Sequence, residues 1–496
     1  MDDQPQFADT LEDQEDNKSS DVVLAALAEA QRAFRPWQDN CDRIDKKWSL
    51  SRNIANASDW SDAEFDIFWA STEILKPAIY SRPPVPVVAT RFSIRDPFTD
   101  QISDMLERTL MTTLDLSDID DVMRHLRDDL VMAARGVPWV TYDEDAERAC
   151  VEHLDRTDFL HEPARKWAEV GWVARCGWMT RKQMRDRFQS HSGQAYMQAT
   201  LQMRRDKDRD GMTDGSEKAA VWEVWHRIDR RVYWVSEGVD VLLDESEPYL
   251  DLSRFFPCTK PVYGSLKRRT LIPIPDYGRF EKHLDQINEL TSRIYALLDQ
   301  VRIKGLIPGG GDVAEAVESA LAQNDSDTIY ISVPGAAFSA SGGNFVQYLP
   351  LDMIATTISG LIQSRSQLIQ DYYQLSGISD IMRGATDAQE TLGAQQLKSQ
   401  YGSIRVRDKV DALTDCARDI CQILGEVIAS NYSGKKIMEM SMTHLPTDTD
   451  IKKQIRDIES KAKAALEEIE EHAREMQAQV RVQGALQPPA QMGAEP

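Results

Sequence analysis

Pro273-Ile274-Pro275-Asp276-Tyr277-Gly278-Arg279-Phe280 opens the stretch that decides this chain's fold, and the pattern it starts runs on to about residue 399. Apolar residues recur at Phe280, Leu284, Ile287, Ile294, Leu298 and Val301, so the spacing predicts a helix over residues 276–301. A second helix opens at Asp352, with Ile354, Ile358, Leu361, Leu368 and Tyr372 on its face, and reaches residue 377. Between them the sequence predicts a strand at 303–307, a turn at Gly309-Gly310-Gly311, a helix at 312–323, a strand at 328–332 and a Gly/Ala/Ser loop at 334–343. Each long helix spans about 35–40 Å at 1.5 Å per residue. Each has a narrow apolar stripe and a wide polar surface. An ordinary hairpin inside one core is the simpler reading; stripes this narrow are more easily buried against neighbouring copies.

Upstream, helices are expected at 21–48 and 60–80, the second stopped by Ser81-Arg82-Pro83-Pro84-Val85-Pro86, because consecutive prolines remove donors and fix φ. Residues 101–135 read as two helices split near Ser117. From Gly136 the texture turns β-branched and aromatic. Strands are expected at 139–142, 151–154, 171–175, 221–228 and 231–235, with Asp229-Arg230 as a tight turn and one inserted helix at 180–204. Downstream, helix is expected from about Thr386 to Asn431, and a last helix over 450–480 carries a near-heptad seam of Ile451, Ile455, Ile458, Ala462, Ala465, Ile469 and Met476, interrupted by His472. The whole is α+β and mainly helical. Residues 1–20, with seven acids against Lys18, and 481–496 are expected to be disordered tails.

A net charge of −23, from 58 basic and 81 acidic residues, argues against a protein that grips nucleic acid by neutralising its phosphates. It leaves room for one that DNA passes through. Six scattered cysteines without a CxxC predict reduced thiols. No apolar run approaches a membrane span, and the acidic start is unlike a signal peptide.

Chemical motifs are few. Asp206, Asp208, Asp210 and Glu217 fit the calcium-loop pattern D-x-D-x-D-G-x5-E, with Gly211 for the sharp turn. Thr213 stands where an apolar anchor belongs, and the residues that follow read as strand, so a polar connection is favoured. Gly309, Gly311 and Ala314 fit G-x-G-x-x-A, but one strand–helix–strand unit is too small for a dinucleotide crevice, and Asp312 would repel phosphate. There is no G-x-S-x-G, Walker loop or H-E-x-x-H, and the eight histidines are isolated. The Trp222, Trp225, Tyr233 and Trp234 cluster is better suited to strand pairing than to stacking on a ligand. No enzyme activity and no cofactor are expected.

The sequence resembles the portal, or head-to-tail connector, proteins of tailed bacteriophages. The resemblance is carried by Phe255-Phe256-Pro257-Cys258-Thr259-Lys260-Pro261-Val262-Tyr263-Gly264, by Leu271-Ile272-Pro273-Ile274-Pro275-Asp276-Tyr277, and by Gly377-Ile378-Ser379-Asp380-Ile381-Met382-Arg383-Gly384 with Glu390-Thr391. Leu75-Lys76-Pro77-Ala78-Ile79-Tyr80-Ser81-Arg82-Pro83, and Asp158-Phe159 with Trp172-Val173-Ala174-Arg175, look like the same family. The order of elements matches over about residues 20–480.

The resemblance implies a ring of about twelve copies around a channel for double-stranded DNA. Residues 21–270 would be the wing (helical to 135, β-rich from 136), 271–301 and 351–377 the stem helices, and 302–350 the clip. Residues 378–400 would be the channel segment, and 401–480 the inner wing and crown. Phe280, Leu284, Ile287, Ile294, Leu298, Ile354, Ile358 and Leu361 would pack the stem; Gln389, Glu390, Gln395, Gln396, Lys398 and Gln400 would line the channel. Implied partners are the terminase packaging motor, a head–tail adaptor, and the major capsid and scaffolding proteins, at the virion's portal vertex after assembly in the host cytoplasm. The rival reading is a calcium-regulated coiled-coil scaffold; a nucleotide enzyme built on the Gly309 loop comes third.

Overall fold

A computed structural model describes residues 20–49, 65–90, 97–201, 217–300, 303–309, 328–334, 347–348, 352–378, 382–383, 404–443 and 448–485. The chain is mixed α/β and mainly helical. It divides into two compact units, Met1–Val87 with Leu110–Tyr432, and Val88–Thr109 with Ser433–Pro496.

Helix α1 (Ser20–Ser49) buries Leu27, Ala30, Phe34, Trp37, Cys41 and Ile44, alternating three and four residues apart along one face. Helix α2 (Ile67–Ile79) starts later than the periodicity predicts. Asp66 stands outside it as N-cap, its carboxylate accepting from the Trp69 N–H at 3.2 Å, and 60–64 lie outside the described residues. Helices α3 (Pro97–Leu116) and α4 (Ile119–Met132) break where expected: Asp118 adopts φ 48° and turns the chain between them.

Strand β1 (Arg135–Asp143) starts before the β-branched run, directly after Ala134 at φ 60°. It pairs antiparallel with β2 (Arg148–Leu154). Strands β3 (Phe159–His161), β4 (Trp172–Met179), β5 (Ala219–His226), β6 (Arg231–Ser236) and β7 (Asp244–Ser246) form an antiparallel sheet in sequence order. The expected two-residue turn is wider: His226 pairs with Arg231, leaving four residues, with Arg230 at φ 52°. The inserted helix is shorter than 180–204. Thr180 and Gln183 form a capping box that starts α5 (Arg181–Ser192), and Gly193 at φ 63° ends it.

Alternation along these strands buries both faces of the five-stranded sheet. Trp172, Ala174, Cys176, Trp222, Val224, Tyr233 and Val235 pack under α1. On the opposite face Phe188 of α5 meets Trp234, and Trp225 meets Tyr249 and Phe255. The four aromatics of the Trp222–Trp234 cluster are therefore core residues.

Strand β8 (Val262–Tyr263) returns to the far edge of β1, pairing Gly136 with Val262 and Arg135 with Tyr263. A two-stranded ribbon, β9 (Ser265–Leu266) with β10 (Pro273–Ile274), leads into α6 (Tyr277–Gln300). Strands β11 (Ile303–Gly309), β12 (Thr328–Pro334) and β13 (Gln347–Tyr348) follow, then α7 (Asp352–Ser376), which Gly377 ends at φ 78°. Helix α8 (Ile404–Asn431) packs on α2, α4, β1, β2 and β8, burying Val406, Leu413, Ala417, Ile420, Leu424 and Val427. Helices α9 (Gly434–Ser441) and α10 (Asp448–Ala485) lie in the second unit.

Candidate functional site

Helices α6 and α7 pack antiparallel over about 36 Å. The base is aromatic. Tyr277 meets Phe68 edge-on at 4.8 Å, and Phe280 meets Tyr372 at 5.2 Å and 89°. These residues cluster with Ile44, Ile67, Leu284 and Ile287, so the hairpin grows out of α1 and α2. Burial pushes the Tyr372 phenol up to about 12, so it is neutral at physiological pH. Outside the cluster, Arg43 pairs with Glu281, Lys47 lies 3.5 Å from Asp285, and the Phe65 N–H donates to Asn288 at 3.1 Å. A pocket between Lys47, Phe65, Asp66 and Asn288 has room for about 20 Å³, enough for a water.

Higher up, the Thr291 hydroxyl is buried, donating to the Ile287 carbonyl at 2.7 Å and accepting from Arg365 at 3.4 Å. At the tip, β11 runs parallel to β12 from Ile303↔Thr328 to Gly309↔Pro334, and β13 adds antiparallel on its other side. Gly309 is therefore the last residue of a strand and not the first of a turn. The third strand, β13, has no clear sequence signal at two residues. The expected helix at 312–323 lies outside the described residues.

The two helices present unlike surfaces. Seven of the 24 residues of α6 are ionised, among them Arg279, Lys282, Asp285, Glu289 and Arg293. Only Asp352, Arg365 and Asp371 are so among the 25 of α7. Its exposed residues are mostly hydroxyl and amide, with Met353, Ile362 and Leu375 among them; Thr356, Thr357, Ser364 and Ser366 each donate to the carbonyl four residues back, at 2.8–2.9 Å. Hydroxyls closed on their own helix offer few donors to anything passing.

Of the residues expected to pack a stem, Phe280, Leu284, Ile287, Ile294 and Ile358 are buried, and Ile354 and Leu361 are half-buried. Leu298, expected to pack the stem, is 48% exposed. Tyr277 and Thr291 also belong to the packed stripe; Tyr277 precedes the first periodic position, Phe280, and Thr291 carries a hydroxyl. The channel candidates Gln389, Glu390, Gln395, Gln396, Lys398 and Gln400 lie outside the described residues, as do Asp206, Asp208 and Asp210. Glu217 is exposed, just ahead of β5. Among the described residues no cluster of His, Cys, Asp or Glu is arranged to hold a metal.

Among the described residues, charged and polar clusters include three around Arg135, Glu223 and Asp129. Arg135 is fully buried, its guanidinium 4.3 Å from the Trp37 ring and also against Phe34 and Phe159. It donates to the carbonyls of Arg156 and Phe159 at 3.0 and 3.3 Å. Beside it, burial and the Arg135 charge push His161 down to about 3, so the ring is neutral. Glu223 is buried and accepts from Arg175, Trp225 and Tyr249 at 2.7–2.9 Å. Asp129 and His153 form the third cluster. All three join neighbouring elements and serve the fold. The six cysteines are free, and burial pushes Cys41 and Cys416 up to about 12.

Helix α10 is exposed at every residue whose burial is described, including Ile455, Ile458, Ile469 and Met476. No described helix is long and apolar enough to cross a membrane. No protein-family model matches the chain, and a search of curated proteins finds no match either.

Proposed function

We propose that this chain is a portal protein of a tailed bacteriophage, which forms a ring at one capsid vertex through which double-stranded DNA is packaged and ejected. The observation that carries the reading is the hairpin: two helices of about 36 Å, rooted in an aromatic cluster and tipped by a small mixed sheet. It supports a stem and clip in the order that the sequence resemblance implies. The stem's narrow apolar stripe and the exposure of Leu298, Met353 and Ile362 suit burial against neighbouring hairpins.

The mechanism is physical. DNA slides only if its phosphates find no deep electrostatic minimum, and a chain of net charge −23 supplies few. The neutral α7 face suits the same task. Gln389, Glu390, Gln395, Gln396 and Gln400 would line the channel, with Lys398 as a weak retaining cation. The terminase motor would dock on the clip and supply the ATP chemistry. Adaptor, capsid and scaffolding proteins would bind the ring's other surfaces.

Negative-stain imaging of purified protein tests the proposal. Rings with an axial hole as wide as a DNA duplex are expected; a compact monomer or dimer across a range of salt overturns it.

A further inference from the structure

Helix α10 is 38 residues long, about 57 Å, and its apolar seam is uncovered. Ile458 and Ile469 are 66% and 64% exposed. A lone helix with a bare seam gains little from packing, and packing is the usual source of helix stability. The seam therefore needs an occupant, and the charges along the helix identify one.

Five of the seven ionised residues between 451 and 465 are cationic, whereas five of the six between 466 and 478 are acidic. Two such helices side by side in the same direction set basic half against basic half and acidic against acidic. Turned head to tail, each basic half meets an acidic half.

We infer that α10 pairs antiparallel with α10 of a second copy of this chain. The seam fits that arrangement layer by layer. In one register Ile451 faces the other copy's Met476, Ile455 its His472, Ile458 its Ile469, and Ala462 its Ala465. The small residues meet at the centre, where the helices approach closely, and the isoleucines flank them. Lys461 falls opposite Glu468, twice by symmetry, at the positions that border an antiparallel seam. In the parallel in-register pair the bordering partner of Lys461 is Leu466, and the complementary contact is lost. The contact is isologous, one surface patch used twice about a two-fold axis. Copies within a closed ring all point one way, so this pairing joins free subunits or two separate rings. It does not rest on the portal reading.

Disulfide trapping in the full chain tests it. Ile451→Cys and Met476→Cys are made as separate variants, carrying tags of different mass, and oxidised alone and mixed. Positions 451 and 476 lie about 37 Å apart along one helix, so only head-to-tail pairing brings them together. The expected result is a linked heterodimer in the mixture and none above the parent's background from either variant alone. Lys461→Glu should reduce that product about fivefold, and adding Glu468→Lys should restore it. Self-linkage of the Ile451→Cys variant would show parallel pairing and overturn the inference. Absence of the heterodimer would mean that another partner, or none, covers the seam, and would overturn it too. The gel reads single chains, so the outcome is independent of whether rings are seen.

Discussion

The Asp129 carboxylate lies 2.8 Å from Nε2 of His153, joining α4 to β2. Burial alone disfavours the charged ring, but the hydrogen bond and the charge of Asp129 outweigh it, and the His153 pKa is raised. Burial raises the Asp129 carboxyl as well. A raised histidine pKa adds stability at acidic pH, and that contribution is lost as pH rises through the folded-state value. A raised carboxyl pKa acts in the same direction. His125, stacked on His153 at 5.2 Å, and Asp155 share the site. His153→Gln should therefore cost on the order of 1 kcal/mol near pH 5.5 and close to nothing near pH 8.5. Urea unfolding of the two proteins at both pH values checks this; a constant difference would refute it.

Glu223→Ala should be severe. It strips the half-buried Arg175 of its closest carboxylate and leaves the Trp225 and Tyr249 donors without an acceptor. A loss of about 3 kcal/mol is expected. Combining it with Arg175→Ala should cost clearly less than the sum of the two, since the pair is one unit. Denaturation midpoints of the four proteins give the coupling.

Arg135 is held by ring faces and backbone carbonyls. Arg135→Ala should destabilise by about 3 kcal/mol by leaving a void and two carbonyls short of donors. Arg135→Lys should recover less than half of that. An ammonium cannot lie flat against three rings, so retained charge alone is not enough. Full rescue by lysine would contradict this account.

Under the portal reading, replacing Gln395, Gln396 and Gln400 with Lys adds rings of cations to the channel. Rings should still form in images, while packaged genome length falls. Unchanged genome length would remove these residues from the channel wall.

Much of the helical frame was legible because the period is long and the signals agree. The α3–α4 break at Ser117, the α6 stripe and the end of α7 at Gly377 fall within a residue or two of the sequence pattern. Boundaries moved where a single residue decided them: Asp66 capping α2 with its carboxylate, and Gly193 ending α5 through its positive φ. Short pairings such as β3, β8 and β13 were missed, because two or three residues carry no period. Arg135 was missed for a different reason. A buried arginine looks like a surface residue until three aromatics from distant segments close around it. The polar faces of the hairpin were readable in the charges, but the back-bonded hydroxyls of α7 were not, since their partners are carbonyls of their own helix.

The position of the hairpin within the chain has a consequence for folding. Helix α8 covers β1, β2 and β8, and Glu426 and Asp419 tie it to Ser253 and Arg254. Tyr432 adds a contact to Ala149 at 2.9 Å. The elements that α8 closes are synthesised before residue 264, and α8 itself only after residue 403. The hairpin is made in between. On a growing polypeptide the β-rich core thus waits, one side uncovered, while about a hundred and forty residues pass. The order of the segments along the chain thus separates this core from the helix that closes it.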